Sequence, residues 1–228
     1  MVPDPSSIQS LFNDLAPSYD RYNRIFSLGL DILWRKRLVQ AVTRHQPSLV
    51  LDVACGSGDV ALALQKAIPS AKVTGLDFSA PLLAQAKSRG LGDVVEGDAL
   101  AMPFPDSLFD TVTLAFGLRN FSDRIQGLRE IARVLQPGGT FALLEFSPPP
   151  LPWKLFWNFY LFDLMPWVAQ ILTRQGKAFR YLAHSISEFP SPADLSKELL
   201  SAGFHDPSSQ SMSLGLVRLT LCGKISTH

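Results

Sequence analysis

The chain has 228 residues and 25.1 kDa, with 46% hydrophobic residues, only 18% charged residues and a formal net charge of +1. That length suits one large domain with a continuous core. The composition excludes a disordered, collagen-like or coiled-coil chain, and the near-zero charge offers no general footprint for nucleic acid.

In chain order, Ser7 to Ala16 reads as a helix stopped by Pro17, and a second helix is predicted over Asp31 to Arg44. Ser48-Leu-Val-Leu-Asp-Val is a short apolar run leading into a glycine turn. A helix over Asp59–Ala67, a strand at Lys72–Leu76, a helix over Ala80–Ser88 and a strand at Asp93–Gly97 follow. A strand at Phe109–Phe116 comes next, then a helix over Asp123–Leu135 ended by Pro137-Gly138-Gly139, then a strand at Thr140–Phe146. Strands alternating with helices predict an α/β fold, a mostly parallel sheet with helices on both faces. Such sheets bind ligands beyond the carboxyl ends of their strands.

The segment from 148 to 190 breaks the alternation. It opens on Pro148-Pro149-Pro150, and residues 151–168 hold seven of the 23 aromatics. Trp153 to Met165 reads as one helix ahead of Pro166, apolar nearly all round. Such a helix is buried on several sides or faces something apolar; a lid, a dimer interface and a domain core all satisfy that. A helix over Pro192–Ala202 and strands near 208–213 and 216–223 complete the chain. The organisation expected is a single domain with N-terminal helices (1–46), a core (47–147), an aromatic-rich lid (148–191) and a C-terminal helix with strands (192–228). No apolar run reaches the roughly 18 residues of a membrane span, and the opening residues lack the pattern of a signal peptide. Cys55 and Cys222 make no disulfide framework or zinc set, and no metal site is expected.

The turn after the first strand, Asp52-Val-Ala-Cys-Gly56-Ser57-Gly58-Asp59, carries the chemistry. Its glycines let a ligand approach the backbone at a helix N-terminus. Read loosely, it also fits a dinucleotide fingerprint, which keeps an NAD-dependent oxidoreductase as a rival. Asp52 argues against that rival, because an acid there repels a pyrophosphate and favours a cationic ligand. Asp77 ends the second strand, where a carboxylate can accept two ribose hydroxyls or cap the following helix. Asp98 follows the third strand and either meets a ligand or organises a turn.

The pattern Asp52-x-x-x-Gly56-x-Gly58 resembles motif I of class I S-adenosylmethionine (SAM) methyltransferases. Further stretches resemble the UbiE/MenG family of quinone-biosynthesis C-methyltransferases: Tyr19-Asp-Arg-Tyr-Asn-Arg-Ile-Phe-Ser-Leu-Gly-Leu-Asp-Ile-Leu-Trp34-Arg35, Met102-Pro-Phe-Pro-Asp106, Phe116-Gly-Leu-Arg119-Asn120, Arg133-Val-Leu-Gln-Pro-Gly-Gly-Thr-Phe-Ala-Leu-Leu-Glu145-Phe-Ser147 and Tyr181-Leu-Ala-His184-Ser-Ile186. The likeness covers roughly residues 8–205. It implies SAM as methyl donor and a prenylated quinol as acceptor. Demethylmenaquinol is the first choice, with a polyprenyl-methoxybenzoquinol or demethylphylloquinol as alternatives. A non-catalytic prenyl-lipid carrier is the rival outside enzymes. It implies a cytoplasmic protein that meets the inner face of the cell membrane, and leaves a homodimer open.

By the same resemblance Ser57, Asp77, Asp98, Ala99 and Ala115 fall on SAM-binding positions, with Gly56, Gly58 and Phe78 beside them. Tyr19 and Arg35 fall near the SAM carboxylate in an N-terminal flap. For the methyl transfer, Arg119 would stabilise a phenolate, Asn120 would orient a quinol oxygen and His184 would serve as base. Phe116, Glu145, Trp153, Trp157 and Tyr160 would line the acceptor groove.

Overall fold

The computed structural model describes residues 24, 25, 27–173 and 176–225; the predicted helix at 7–16 and the Tyr19 signature lie outside them. The chain runs α1 (Leu30–Thr43), β1 (Leu49–Val53), α2 (Asp59–Ala67), β2 (Lys72–Asp77), α3 (Ala80–Ser88), β3 (Asp93–Glu96), β4 (Phe109–Ala115), α4 (Arg124–Val134) and β5 (Leu135–Phe146). It continues through α5 (Lys154–Asn158), a π-turn (Phe159–Leu164), α6 (Met165–Thr173), α7 (Gly176–Ser187), α8 (Pro192–Ser201), β6 (Phe204–Met212) and β7 (Val217–Lys224).

The seven strands form one sheet in the order β3-β2-β1-β4-β5-β7-β6. The first five are parallel, and β7 runs antiparallel to both neighbours. This is the α/β Rossmann-like arrangement expected. The strand order reverses between β1 and β4, so a crevice opens beyond their carboxyl ends.

Side chains alternate across the strands, so one short run feeds two cores. Val50 of β1 and Ala142 and Leu144 of β5 pack with Trp34, Leu38 and Val42 of α1 and with Leu64 of α2. Leu51, Val53, Phe141 and Leu143 point the other way, onto Leu128 and Ile131 of α4 and Leu199 of α8. Burying each such Leu or Phe contributes roughly 1.5–3 kcal/mol. The helix starts follow local chemistry. The Asp123 side chain accepts from the Gln126 N–H, and the Ser191 hydroxyl accepts from the Asp194 N–H with Pro192 in the first turn. Arg133 ties α4 to the loop beneath it, donating to the Met102 and Phe104 carbonyls and to Asp106 and Glu130.

Three boundaries differ from expectation, one being that β6 starts at Phe204, ahead of the strand expected near 208–213. β5 begins at Leu135 rather than Thr140, with Pro137-Gly138-Gly139 inside the strand. The register against β4 shifts there, and a Cβ on Gly139 would lie 2.9 Å from the Asp110 carbonyl oxygen, so glycine lets the irregular strand pass close by. The aromatic helix also does not end at Pro166. The wide π-turn precedes it, and the proline sits in the first turn of α6, where its missing N–H is tolerated.

Candidate functional site

The β1 turn is wound through left-handed conformations at Ala54 (φ 52°), Gly56 (φ 55°) and Gly58 (φ 87°). The bend turns the chain from strand to helix and leaves a polar cavity of about 370 Å³, bordered by Arg35, Asp52, Gly56, Ser57, Asp59 and Ala115, among others. Asp52 is buried in its wall. One carboxylate oxygen accepts from the Thr113 hydroxyl at 2.6 Å, the other from the Ala61 N–H at 3.1 Å. Burial pushes its carboxyl from 3.8 up to about 7, against the opposing pull of these hydrogen bonds and of the Arg35 charge.

Asp77, at the end of β2, is also buried and also raised by burial. Its two oxygens accept from the Gly56 N–H at 2.8 Å and the Ser79 N–H at 2.9 Å, which ties the ends of β1 and β2 together. Cys55 lies between these acids. Burial and the two aspartates push its thiol up, so it stays protonated and inert. Phe78 follows Asp77, while Asp98 and Ala99 follow β3. Asp98 is exposed and accepts the Leu100 N–H at 2.8 Å, so it organises the turn; of the acids expected at the strand ends, it alone is not buried.

Beside the polar cavity lies a larger one of about 920 Å³. Phe116, Trp34 and Phe146 pack ring against ring on its wall, 4.8–6.0 Å apart. Phe156, Trp157 and Tyr160 of the aromatic segment line it as well, with Leu182 and Ile186 from α7. Phe116 has φ 59°, a strained conformation for a bulky residue that marks functional sites. The two cavities adjoin: Arg35 borders both, and the neighbours Ala115 and Phe116 border one each. The Arg35 guanidinium bonds Asp31 at 2.5 Å and lies 5.6 Å from the centre of the Phe116 ring.

Arg119 also lines the large cavity. It is 7% exposed and pairs at 2.7 Å with Glu145, itself 2% exposed. Its Nη1 also reaches the Phe116 carbonyl at 2.5 Å, while its Nε is buried without a partner among the described residues. Glu145 therefore holds Arg119 rather than facing the large cavity; it borders a separate cavity of about 270 Å³ with Ser147 and Arg218. The Asn120 side-chain oxygen accepts from the Tyr181 hydroxyl at 3.0 Å, tying α7 to the turn after β4.

Other expected residues are not brought to the cavities. His184 is exposed, with its ring 5.4 Å from Phe162. The inward face of α7 carries Leu182, Ala183 and Ile186, and at 100° per residue His184 falls on the opposite side. Trp153 is 43% exposed and does not line the large cavity, because it precedes α5, whose inward face starts at Phe156 and Trp157. Tyr19 lies outside the described residues.

Three contributors carried no expectation. Thr113 holds Asp52, and its signal was a hydroxyl in the middle of a buried strand. Arg89, at the end of α3, donates to the Ser57 carbonyl at 2.9 Å and to Asp59 at 2.6 Å, bracing the turn from behind. Trp34 donates its indole N–H to Ser213 at 2.9 Å. Neither of these last two partners is near in sequence.

A model of the ubiE/COQ5 methyltransferase family matches residues 2–224. A Thermus thermophilus protein named demethylmenaquinone methyltransferase is 43% identical over 200 residues, which is 85% of this chain and 91% of its own length. A Geobacter sulfurreducens protein named ubiquinone/menaquinone biosynthesis C-methyltransferase UbiE is 38% identical over 93% of this chain and 86% of its own. Among solved structures, a SAM-dependent methyltransferase from Thermotoga maritima superposes with a TM-score of 0.68, 18% identity and coverage of 94% of this chain and 99% of its own. That likeness speaks to the fold.

Proposed function

Because the chain belongs to the ubiE/COQ5 methyltransferase family, we propose that it transfers a methyl group from SAM to a ring carbon of a prenylated quinol, with demethylmenaquinol as the acceptor. The observation that carries this reading is the junction of the two cavities: a small polar one with the buried Asp52 in its wall opens beside a large apolar one, and Arg35 borders both.

The polar cavity fits SAM by its chemistry. Asp52 is a buried carboxylate raised to about 7, so a cationic ligand relieves its desolvation. Asp77 retains a lone pair for a ribose hydroxyl beyond the backbone N–H groups of Gly56, Phe78 and Ser79 that it already accepts. In this reading Gly56, Ser57 and Gly58 bring backbone to the ligand, Arg35 meets its carboxylate, and Phe78, Ala99 and Ala115 border it. SAM supplies an electrophilic methyl group there. A fold that holds an acceptor carbon in line with that methyl contributes up to roughly 7–11 kcal/mol in favourable cases.

The acceptor sits in the large cavity. Its size falls in the range of small-molecule sites, which are mostly apolar with a few placed polar groups. Phe116, Trp157 and Tyr160 exclude water from the ring. Arg119, on the cavity wall, offers its guanidinium to a quinol oxygen and favours the phenolate, which makes the neighbouring carbon nucleophilic. Glu145 cancels much of the arginine's distant field, so this effect comes through the directed hydrogen bond. Arg119 does not take the proton, since an arginine keeps its own above pH ~12.

The tail and the membrane follow from the same face. No helix of the described residues is long and apolar enough to cross a membrane. Yet Leu155, Phe156 and Phe159 of the aromatic segment, and Leu28, Ile32 and Leu33 at α1, are exposed. Phe156 and Leu28 also line the large cavity. An exposed apolar rim continuous with such a cavity suits a protein resting on a lipid surface and drawing its substrate from it. The reading is tested by methyl transfer from labelled SAM to a short-chain demethylmenaquinol under anaerobic conditions, with the product identified by mass spectrometry. SAM binding without turnover would leave a lipid carrier instead.

A further inference from the structure

A hydroxyl on a strand buried on both faces is costly unless it is hydrogen-bonded. Thr113 places one in β4, fully buried between the equally buried Val112 and Leu114. Valine would serve packing and strand propensity there equally well, so the hydroxyl is the part of this side chain that needs a use. In the register of β1 against β4, Thr113 stands opposite Asp52, and it donates to one carboxylate oxygen at 2.6 Å. That length is typical of a hydroxyl bonded to an ionised carboxylate and shorter than the usual bond between neutral groups.

Asp52 is surrounded by groups that pull its charge in opposite directions. Burial and the Asp77 carboxylate at the end of β2 oppose ionisation, while the Thr113 hydroxyl, the Ala61 N–H from α2 and the Arg35 guanidinium from α1 favour it. Cys55, in the turn between, stays protonated and adds no charge. Among the favouring groups Thr113 acts most strongly. Arg35 divides its charge between Asp52 and its nearer partners, Asp31 and Asp59. We infer that Thr113 is a positioning residue: its hydroxyl, donated across from β4, keeps Asp52 charged in the wall of the polar cavity, so that this strand sets the pH below which the protein loses SAM. This rests on the proposed role of Asp52 toward SAM and deepens it.

The test follows SAM binding by calorimetry from pH 5.5 to 8.5 in wild type, Thr113→Val and Thr113→Ser. Each variant is compared with wild type at the same pH, so that the titration of SAM itself cancels. Thr113→Val keeps the shape and loses the donor. The pH at which affinity falls should move up by about one pH unit, the worth of one hydrogen bond to a charged group. Near pH 7 this variant should bind SAM several-fold more weakly than wild type, and by pH 8.5 it should return close to wild-type affinity. Thr113→Ser restores the hydroxyl and should follow wild type throughout. Should Thr113→Val fold poorly, Thr113→Cys, a weaker donor, should give a smaller shift in the same direction. Equal weakening by Thr113→Val at every pH would assign Thr113 to packing and overturn the inference, as would an unmoved midpoint or a serine variant that behaves like the valine one. Wild-type affinity that does not fall with pH would overturn the reading of Asp52 as well, whereas an unmoved midpoint in Thr113→Val alone leaves that reading standing.

Discussion

Asp52 is where stability and ligand binding pull against each other. Burial raises its carboxyl from 3.8 to about 7. As pH rises past 4, the unfolded chain gives up this proton while the folded chain keeps it, so the group's contribution to stability falls between pH 4 and 7. Above pH 7 the buried carboxylate is ionised and the loss is complete, about 4 kcal/mol at 1.36 kcal/mol per pKa unit. Asp52→Asn removes the ionisation and keeps both hydrogen bonds: the amide oxygen accepts from the Ala61 N–H and the amide NH₂ donates to the Thr113 hydroxyl. A neutral amide still has to be desolvated, so about half the bound should appear at pH 8.5, roughly 2 kcal/mol or 4–8 °C in Tm for a chain of this size. At pH 5.5, where wild-type Asp52 is already protonated, the two proteins should melt nearly together. Calorimetric titration with SAM should move the other way. The variant should bind about ten- to a hundredfold more weakly at pH 8.5, the worth of a charge-assisted contact. Wild-type affinity should itself decline as pH falls below about 7, whereas the variant's should stay level. A variant that melts lower at pH 8.5, or that binds SAM as tightly as wild type there, would refute the reasoning.

Further outcomes follow from the same geometry. Arg119→Lys retains the charge beside Glu145 but loses the planar fork of donors, and kcat should drop about tenfold or more while SAM affinity is unchanged; a near-normal kcat would remove Arg119 from the acceptor contact. Tyr181→Phe deletes the bond to Asn120 and should lower stability by about 1 kcal/mol in denaturant melts, with a raised KM for the acceptor; an unaltered midpoint would mean that apolar packing alone holds α7. Phe159, 58% exposed, can become Asp within about 0.5 kcal/mol of wild-type stability. Flotation with anionic liposomes should be lost while turnover of a short-chain acceptor persists, and undiminished flotation would sink the membrane reading.

How much of this was legible beforehand differs by element. Short apolar runs such as Ser48–Val53 and Thr140–Phe146, alternating with helices and turn signals, were enough for a sheet covered on both faces. Helices α2 and α3 fall where expected because Gly58 and Pro81 mark their starts locally. The end of the aromatic helix was not legible. Pro166 reads as a stop in sequence, but a π-turn held by packing against α7 carries the helix past it.

The same division holds at the site. Asp52 and Asp77 could be singled out from one strand each, because an acid at the carboxyl end of a buried strand has few structural uses. That Asp98 stays exposed and accepts the Leu100 N–H, that His184 faces away and that Glu145 serves as counter-ion to Arg119 could not. Each depends on which neighbour reaches the side chain from a distant element, and sequence spacing says nothing of that. The amino-acid sequence by itself determined the sheet, the glycine turn and the family, since these rest on short-range periodicity and contiguous motifs. Only the tertiary structure decided that two cavities adjoin at Arg35 and that Glu145 pairs with Arg119, because partners 26 to 179 residues apart meet only when the chain is folded.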